Sequence, residues 1–432
     1  MSQNTTQALK NGAYDGTLAV LYSNEDIEFH RQRWMELTGT HLNQTGHSQP
    51  RLFSAPGRTE LSGNHTDHNR GRVLAAGVQL DTIAAVSPAK DDQPMLARVI
   101  SEGYPAVSVD LSRLERVPAE ENTTDALLRG IAAGIVKRGG KVGGFTATTS
   151  SRVLKGSGLS SSAALEILVG SIFNELFNEG RFTPVDLAVI GQEAENVFFG
   201  KPCGLLDQCA CSIGGAVAMD FRDPANPAVE SVEVRFADAG YTLAVVDSGG
   251  DHSDLTPDYA AIPSEMKSVA AHLGGEVLRD IPEDVFLAAI ADLRGRFGER
   301  AVLRALHFYS EDNRVVEMTR HLKNGDIEAY LDGVRRSGDS SYRFLQNVFS
   351  PRHPGQQAVS LALALSERFL AGDGAARVHG GGFAGTIQVF VSTERFEDYR
   401  KEMETVFGAG SVVPLAVRPL PAGEVRRTPS VR

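Results

Sequence analysis

Apolar residues along this chain recur in two periods, and the switch from one to the other marks out the elements. Residues 25–38 repeat at helical spacing around the single tryptophan, Trp34, and predict an amphipathic helix. Residues 73–86 are dense in Val, Ile, Leu and Ala and predict a buried strand. Shorter strand patterns follow at 96–101 and 106–111, then a helix at 125–137 and a strand at 144–149. A loop of glycine and serine runs into an apolar helix over 165–177. Another helix is predicted at 184–199, with strands at 216–221 and 231–236. A second block opens with a strand at 241–246 and turns helical at 263–273, 282–293, 299–324 and 356–370. Strands return at 376–379 and 386–391 before a last helix at 394–407. This order predicts an α+β protein of two domains, 1–237 and 238–432. The polar ends, 1–16 and 426–432, are expected to fray.

Composition narrows the classes of function. At 432 residues the chain can hold two domains and a large core. A net charge of −11 argues against nucleic acid or an anionic membrane as the main partner. It leaves an anionic small substrate open, because local charge decides that. No apolar run is long enough to span a bilayer, and residues 1–16 lack the apolar core of a signal peptide, so a cytoplasmic location is expected. Cys203, Cys209 and Cys211 lie close together without a second ligand cluster. They read as reduced thiols and not as a zinc site.

Three segments carry candidate chemistry. The first, 156–164, is Gly-Ser-Gly-Leu-Ser-Ser-Ser-Ala-Ala at the mouth of a helix. Glycines admit an anion close to the backbone, and a helix N-terminus offers unpaired N–H groups and a positive dipole end. The segment reads as a phosphate cradle, although it lacks the Walker Gly-Lys-Ser/Thr pattern. The second, 54–69, packs Arg58, Glu60, Asn64, His65, Asp67, His68 and Asn69 into a turn-prone stretch between strands. That density of donors and acceptors suits a polyol, and equally suits a solvated loop. His65 and His68 suggest no metal, since no third ligand is implied. The third, 200–208, sets Asp207 in an apolar run, where a carboxylate needs a partner such as Arg and can serve as a base or as a structural ion pair. A further glycine cluster, 379–386, marks a tight turn before a strand.

Together these segments resemble the galactokinases of the GHMP small-molecule kinase family. Pro56-Gly57-Arg58 with Gly63 to Gly71 resembles the galactokinase signature, and Gly156 to Ala164 the family's ATP motif. Gly380 to Gly385 resembles the third motif, and Cys203 to Gln208 the segment bearing the catalytic aspartate. The resemblance implies a two-domain GHMP fold, with an N-terminal domain folded like a ribosomal protein around a left-handed βαβ crossover. It implies a ferredoxin-like C-terminal domain, with the site between the two. It implies transfer of the ATP γ-phosphoryl group to the anomeric hydroxyl of a hexose. Asp207 would be the base and Arg58 the charge stabiliser. Lys155, Gly156, Ser157, Gly158, Leu159, Ser160, Ser161 and Ser162 would hold ATP. Ser162 and Glu195 would hold Mg²⁺. Asn64, His65, Asp67, Gly204 and Tyr259 fall at the sugar contacts. A monomer with sugar and ATP as its partners is expected.

The departures bear on specificity. Most galactokinases carry Glu at Asn64, Asn at Glu60, Tyr at His68, Pro at Ala75 and Gly at Ala384. Glu at position 64 repels a carboxylate on sugar carbon 6, whereas Asn can donate to one. The sequence therefore admits galactose, galacturonate or another galactose-related sugar such as N-acetylgalactosamine or arabinose. A non-catalytic sugar sensor is the alternative class. The intact Ser160 to Ala164, Asp207 and Arg58 argue against it.

Overall fold

The structure, a computed structural model, describes residues 4–23, 26–153, 158–250, 255–383 and 385–428. The chain begins with α1 (Thr5–Lys10), α2 (Asp15–Leu21) and α3 (Ile27–Thr45), then β1 (Arg51–Ser62), β2 (Arg72–Pro88), β3 (Leu96–Ser101) and β4 (Val107–Asp110). Next come α4 (Thr124–Lys137), β5 (Phe145–Ser151), α5 (Ser161–Phe177), α6 (Pro184–Glu193), α7 (Leu206–Ile213), β6 (Ala216–Asp220) and β7 (Ala228–Val232). β8 (Tyr241–Asp247) precedes α8 (Thr256–His272), α9 (Glu283–Lys323), α10 (Ile327–Ser340) and α11 (Ala358–Leu370). The chain closes with β9 (Ala375–Val378), β10 (Thr386–Ser392), α12 (Phe396–Phe407), β11 (Val412–Leu415) and β12 (Gly423–Glu424).

Two sheets organise these elements. The larger runs β12-β1-β2-β5-β3-β4, with β6 and β7 added on β2. β2 pairs with β5 through Thr82–Pro88 and with β6 through Arg72–Ala76, so one long strand serves two neighbours. It packs against α3, α5, α7 and α9, which accounts for its unbroken apolar run. β3 lies parallel to β5, joined by a crossover through β4 and α4. The smaller sheet is antiparallel, β11-β8-β10-β9. Ala244, Val246, Ile387 and Val389 of this sheet pack on Val359, Leu363, Tyr399 and Met403 of α11 and α12.

Several sequence expectations are corrected here. The N-terminal segment is ordered from Asn4: Leu9, Leu18 and Leu21 bury with Trp34, which the polar flanks had obscured. The C-terminal segment is held as far as Thr428, whose N–H donates to Ala13 O at 2.9 Å. Residues 54–62 are no loop but the greater part of β1, with every side chain buried. Polar residues in a strand read as loop when their partners are distant in sequence. The helix predicted from 184 ends at Glu193 and widens into a π-turn over Ala194–Phe199. The strand expected at 231–236 sits earlier, as β7, and a 3₁₀ turn takes Phe236–Ala239. α8 starts well before Pro263, because Pro257 supplies the favoured first-turn proline and Pro263 is carried inside. The helices at 282–293 and 299–324 form one element with a break at Gly298. α10 was not anticipated: its buried stripe, Tyr330, Leu331 and Val334, is narrow among charged residues. No described helix is long and apolar enough to cross a membrane.

Candidate active site

The site begins with an irregularity in β1. The strand shifts register against β2 between Pro56 and Arg58, and again between Glu60 and Ser62. Bulges of this kind re-aim side chains. At the first, Gly57 permits a close approach, because a Cβ would lie 3.0 Å from Leu159 O and from Val153, which would have to give way. The Arg58 N–H donates to the same Leu159 carbonyl at 3.0 Å, which lays the glycine- and serine-rich segment along the strand.

Arg58 then reaches Asp207. Its Nε donates to Asp207 Oδ1 at 2.7 Å, and its Nη1 donates to the Gly158 carbonyl. Ser160 donates its hydroxyl to Asp207 Oδ2 at 2.7 Å. Ser160 stands at the N-cap of α5 with φ 59° and ψ 68°, a left-handed conformation uncommon outside glycine. The side chain therefore does not cap the helix, and α5 opens at Ser161 and Ser162 with uncapped N–H groups, an anion-accepting end. Asp207 lies in the first turn of α7. Burial alone would raise its pKa. The Arg58 charge and hydrogen bond, with the Ser160 hydroxyl, outweigh burial and hold it below the usual aspartate range. The carboxylate is ringed by protein yet 35% accessible, so it is ionised and reachable.

A second acidic group lies next to it. Gln208 Nε2 donates to Glu166 Oε2 and Glu195 Oε2, each at 3.0 Å. Glu195 sits in the π-turn, a form of helix that often marks functional positions, and its Oε1 pairs with Lys201 Nζ at 3.0 Å. Glu166 Oε1 is buried without a partner. Burial, reinforced by the Glu195 charge, pushes the Glu166 carboxyl well above its ordinary value. Among the described residues no cluster of three or more His, Cys, Asp or Glu stands ready for a metal ion. The cysteines are free thiols, with Cys209 and Cys211 buried.

Three of the predicted sugar residues, Asn64, His65 and Tyr259, meet at the third glycine motif. Asn64 is fully buried, and all its hydrogen-bonding capacity is used. Its Nδ2 donates to Glu60 Oε1 at 3.1 Å and to Gly380 O at 2.7 Å. Its Oδ1 accepts from Asn347 Nδ2 at 2.8 Å and from Ser341 Oγ at 3.3 Å. His65 adopts a left-handed φ of 61° and donates from Nε2 to Gly381 O at 3.1 Å. Burial, then the neighbouring His68, pushes its pKa down to about 3, so the ring is neutral. Its buried Nδ1 remains an acceptor without a partner. Tyr259 donates its hydroxyl to Gly382 O at 2.8 Å and sets its ring edge-on to Phe383. Asp67 and Gly204 touch, and a Cβ on Gly204 would overlap the Asp67 carboxylate.

The structure thus joins Arg58, Gly158, Leu159, Ser160 and Asp207 directly, with Ser161 and Ser162 at the helix mouth and Glu195 linked through Gln208. Lys155, Gly156, Ser157 and Ala384 lie outside the described residues. Sequence reasoning missed the partners of these groups. Glu166 had a signal, a lone acid on an apolar helix. Arg377, beside the glycine motif, had a weak one. Asn347 had none.

Comparison with known proteins follows the same residues. The galactokinase galactose-binding signature matches residues 40–88, and the N-terminal domain of the GHMP kinases matches 126–215. A galactokinase of Streptomyces coelicolor is 31% identical over 382 residues, which cover 87% of this chain and 94% of that protein. One from Glaesserella parasuis is 30% identical, covering 85% and 92%. The crystal structure of Lactococcus lactis galactokinase with galactose superposes with a TM-score of 0.75 at 22% identity, over 90% of this chain and 98% of the other. A mevalonate kinase structure superposes with a TM-score of 0.59 at 14% identity. With a buried Arg58 paired to an accessible Asp207 at an open helix N-terminus and relatives matched over most of its length, the chain belongs to the galactokinase family of the GHMP kinases.

Proposed function

We propose that the chain is an ATP-dependent galactose 1-kinase. Asp207 takes the proton of the anomeric hydroxyl, and the oxygen bonds to the γ-phosphorus of ATP. The bond from that phosphorus to the β,γ-bridging oxygen breaks, and ADP leaves. The observation that carries this reading is the ionised Asp207, held by Arg58 and Ser160 beside the uncapped start of α5. Arg58 keeps the base ionised, and the helix mouth with Gly158 to Ser162 receives phosphate oxygens. Asp67 offers its carboxylate to sugar hydroxyls, His65 holds the Gly381 carbonyl at the edge of the sugar, Gly204 leaves room for Asp67, and Tyr259 fixes the glycine turn. Asn64 borders the sugar and orients the loop, since its amide is already engaged. We place the domain division at 237 and 238, with β12 returning to the first sheet. All these groups come from one chain, and a monomer is the expected working unit.

The oxygen donors fit magnesium, which takes few protein ligands and leaves room for phosphate and water. Ser162 and Glu195 would hold it, with the orphaned Glu166 oxygen nearby. Bound there, the ion neutralises charge on the phosphates.

Release of ADP from Mg-ATP, with phosphorus NMR to locate the new ester, tests the reading. Galactose is expected to yield a 1-phosphate. Galacturonate is expected to run at below about one-hundredth of that rate, because a second carboxylate near Glu60 finds both Asn64 N–H donors spent. Equal rates on the two sugars would overturn this account of Asn64. Sugar binding without ADP release on any sugar would make the chain a sensor. Gly204→Ala, which displaces Asp67, is expected to lower kcat/KM for galactose by about 10–100-fold. An unchanged value would remove Asp67 from the sugar site.

A further inference from the structure

We propose that Lys201 is a catalytic residue, whose ammonium exchanges the Glu195 carboxylate for the transferred phosphoryl group as the metal–nucleotide complex binds. This rests on the kinase reading above. The backbone at Lys201 is pinned while its side chain is not. Gly200, at φ 89°, and Lys201 both donate their N–H groups to Glu195 O, at 3.0 and 3.2 Å. The Lys201 side chain is 61% accessible and is held by one ion pair, Nζ to Glu195 Oε1 at 3.0 Å. An ammonium has three donors, so two remain.

The position suits the chemistry. Lys201 stands on the short segment that leads into α7 and Asp207. Its ammonium holds Glu195, and Glu195 is joined to Glu166 through Gln208, the residue after Asp207, so Lys201 stands at the edge of the acidic group beside the base. Among the described residues, Arg58 and Lys201 are the cations nearest this group of acids, Arg58 on Asp207 and Lys201 on Glu195. Arg58 is committed to Asp207 and to the Gly158 carbonyl. Among the described residues, Lys201 is thus a cation at the site that is free to turn. Phosphoryl transfer spreads negative charge over the equatorial oxygens, and a positioned cation stabilises that charge. A compact ammonium on a flexible stem can occupy two positions, which a planar guanidinium does less readily. An accessible lysine is cationic through neutral pH, so the charge does not depend on the Glu195 pair.

The exchange has a signature that a structural lysine lacks. Lys201 and a divalent cation compete for Glu195, so removing the ammonium should slow transfer yet tighten cation binding. The full chain, Lys201→Ala and Lys201→Arg would be compared in two assays. One is equilibrium binding of Mn²⁺ alone by electron paramagnetic resonance. The other is ADP release with Mg-ATP and galactose. Lys201→Ala is expected to lower kcat by about 10–100-fold and to tighten Mn²⁺ binding by about 3–10-fold. Lys201→Arg should recover part of kcat. Glu195→Gln should lose Mn²⁺ binding, and adding Lys201→Ala to it should not tighten that binding. Melting curves establish that each variant folds. A kcat within about twofold of the parent, or Mn²⁺ binding that weakens with kcat, would overturn the proposal. A parent chain silent on every sugar would instead overturn the kinase reading, while the Mn²⁺ arm still decides the competition for Glu195.

Discussion

Asp207→Asn is expected to lower kcat for galactose phosphorylation by about 10²–10⁴-fold while sugar and nucleotide still bind. The amide keeps the shape of the side chain and can still accept from Ser160, so the pocket is preserved. It cannot take a proton, and it leaves the Arg58 guanidinium without its counter-charge. Calorimetric sugar binding beside an ADP-release assay separates lost chemistry from lost structure. The pH profile of the parent enzyme gives an independent check. The base must be ionised, and Arg58 and Ser160 hold Asp207 below its usual range against the effect of burial. Activity limited by this group therefore stays level through neutral pH and falls only below about 3.9, the ordinary aspartate value. Arg58→Met removes the opposing charge, lets burial dominate and should move that acid limb upward. An acid limb between about pH 6 and 7 in the parent, left in place by Arg58→Met, would assign the base to another group.

The residues that announced themselves in the sequence are those whose chemistry is local. Gly158 to Ser162 could be read as a helix mouth because glycines, serines and the apolar α5 are consecutive. Asp207 drew notice as a charge in an apolar run. What stayed hidden was pairing over long sequence distances. The chain does not state that Arg58 meets Asp207, 149 positions away, or that Asn64 is held by Asn347, 283 positions away. The misreading of β1 has the same origin. Ser54, Arg58, Glu60 and Ser62 look solvated until their partners from later in the chain are in place, and then all are buried. The reading of Asn64 changed for this reason too. Taken alone it is a free amide able to greet a carboxylate. In the fold it is a saturated joint between Glu60, Gly380 and Asn347.

Arg377→Met is expected to destabilise the protein by about 3–5 kcal/mol, because it strands a buried charge partner. Arg377 on β9 is wholly buried and reaches from the small sheet to β1 of the large one. It donates to Glu60 Oε1 at 2.7 Å, Glu60 O at 2.8 Å, Ser337 Oγ at 2.9 Å and Gln388 Oε1 at 3.2 Å. At a scale of roughly 2 °C per kcal/mol for a chain of this size, the melting temperature should fall by about 6–10 °C. Burial already lifts the Glu60 pKa above normal against the pull of Arg377 and Arg58. Without Arg377 it should rise further. A carboxyl with a raised folded pKa contributes stability that is present below its unfolded value, about 4.3, and is lost as pH climbs through the folded value. The variant should therefore lose more at pH 8 than at pH 5, and adding Glu60→Gln should recover much of the loss and flatten that dependence. The same change should raise the KM for galactose, since Glu60 fixes Asn64 and Asn64 holds the Gly380 turn. Equal losses in the single and double variants at both pH values would mean that Arg377 acts through its bonds to Ser337 and Gln388, and that its charge on Glu60 is incidental.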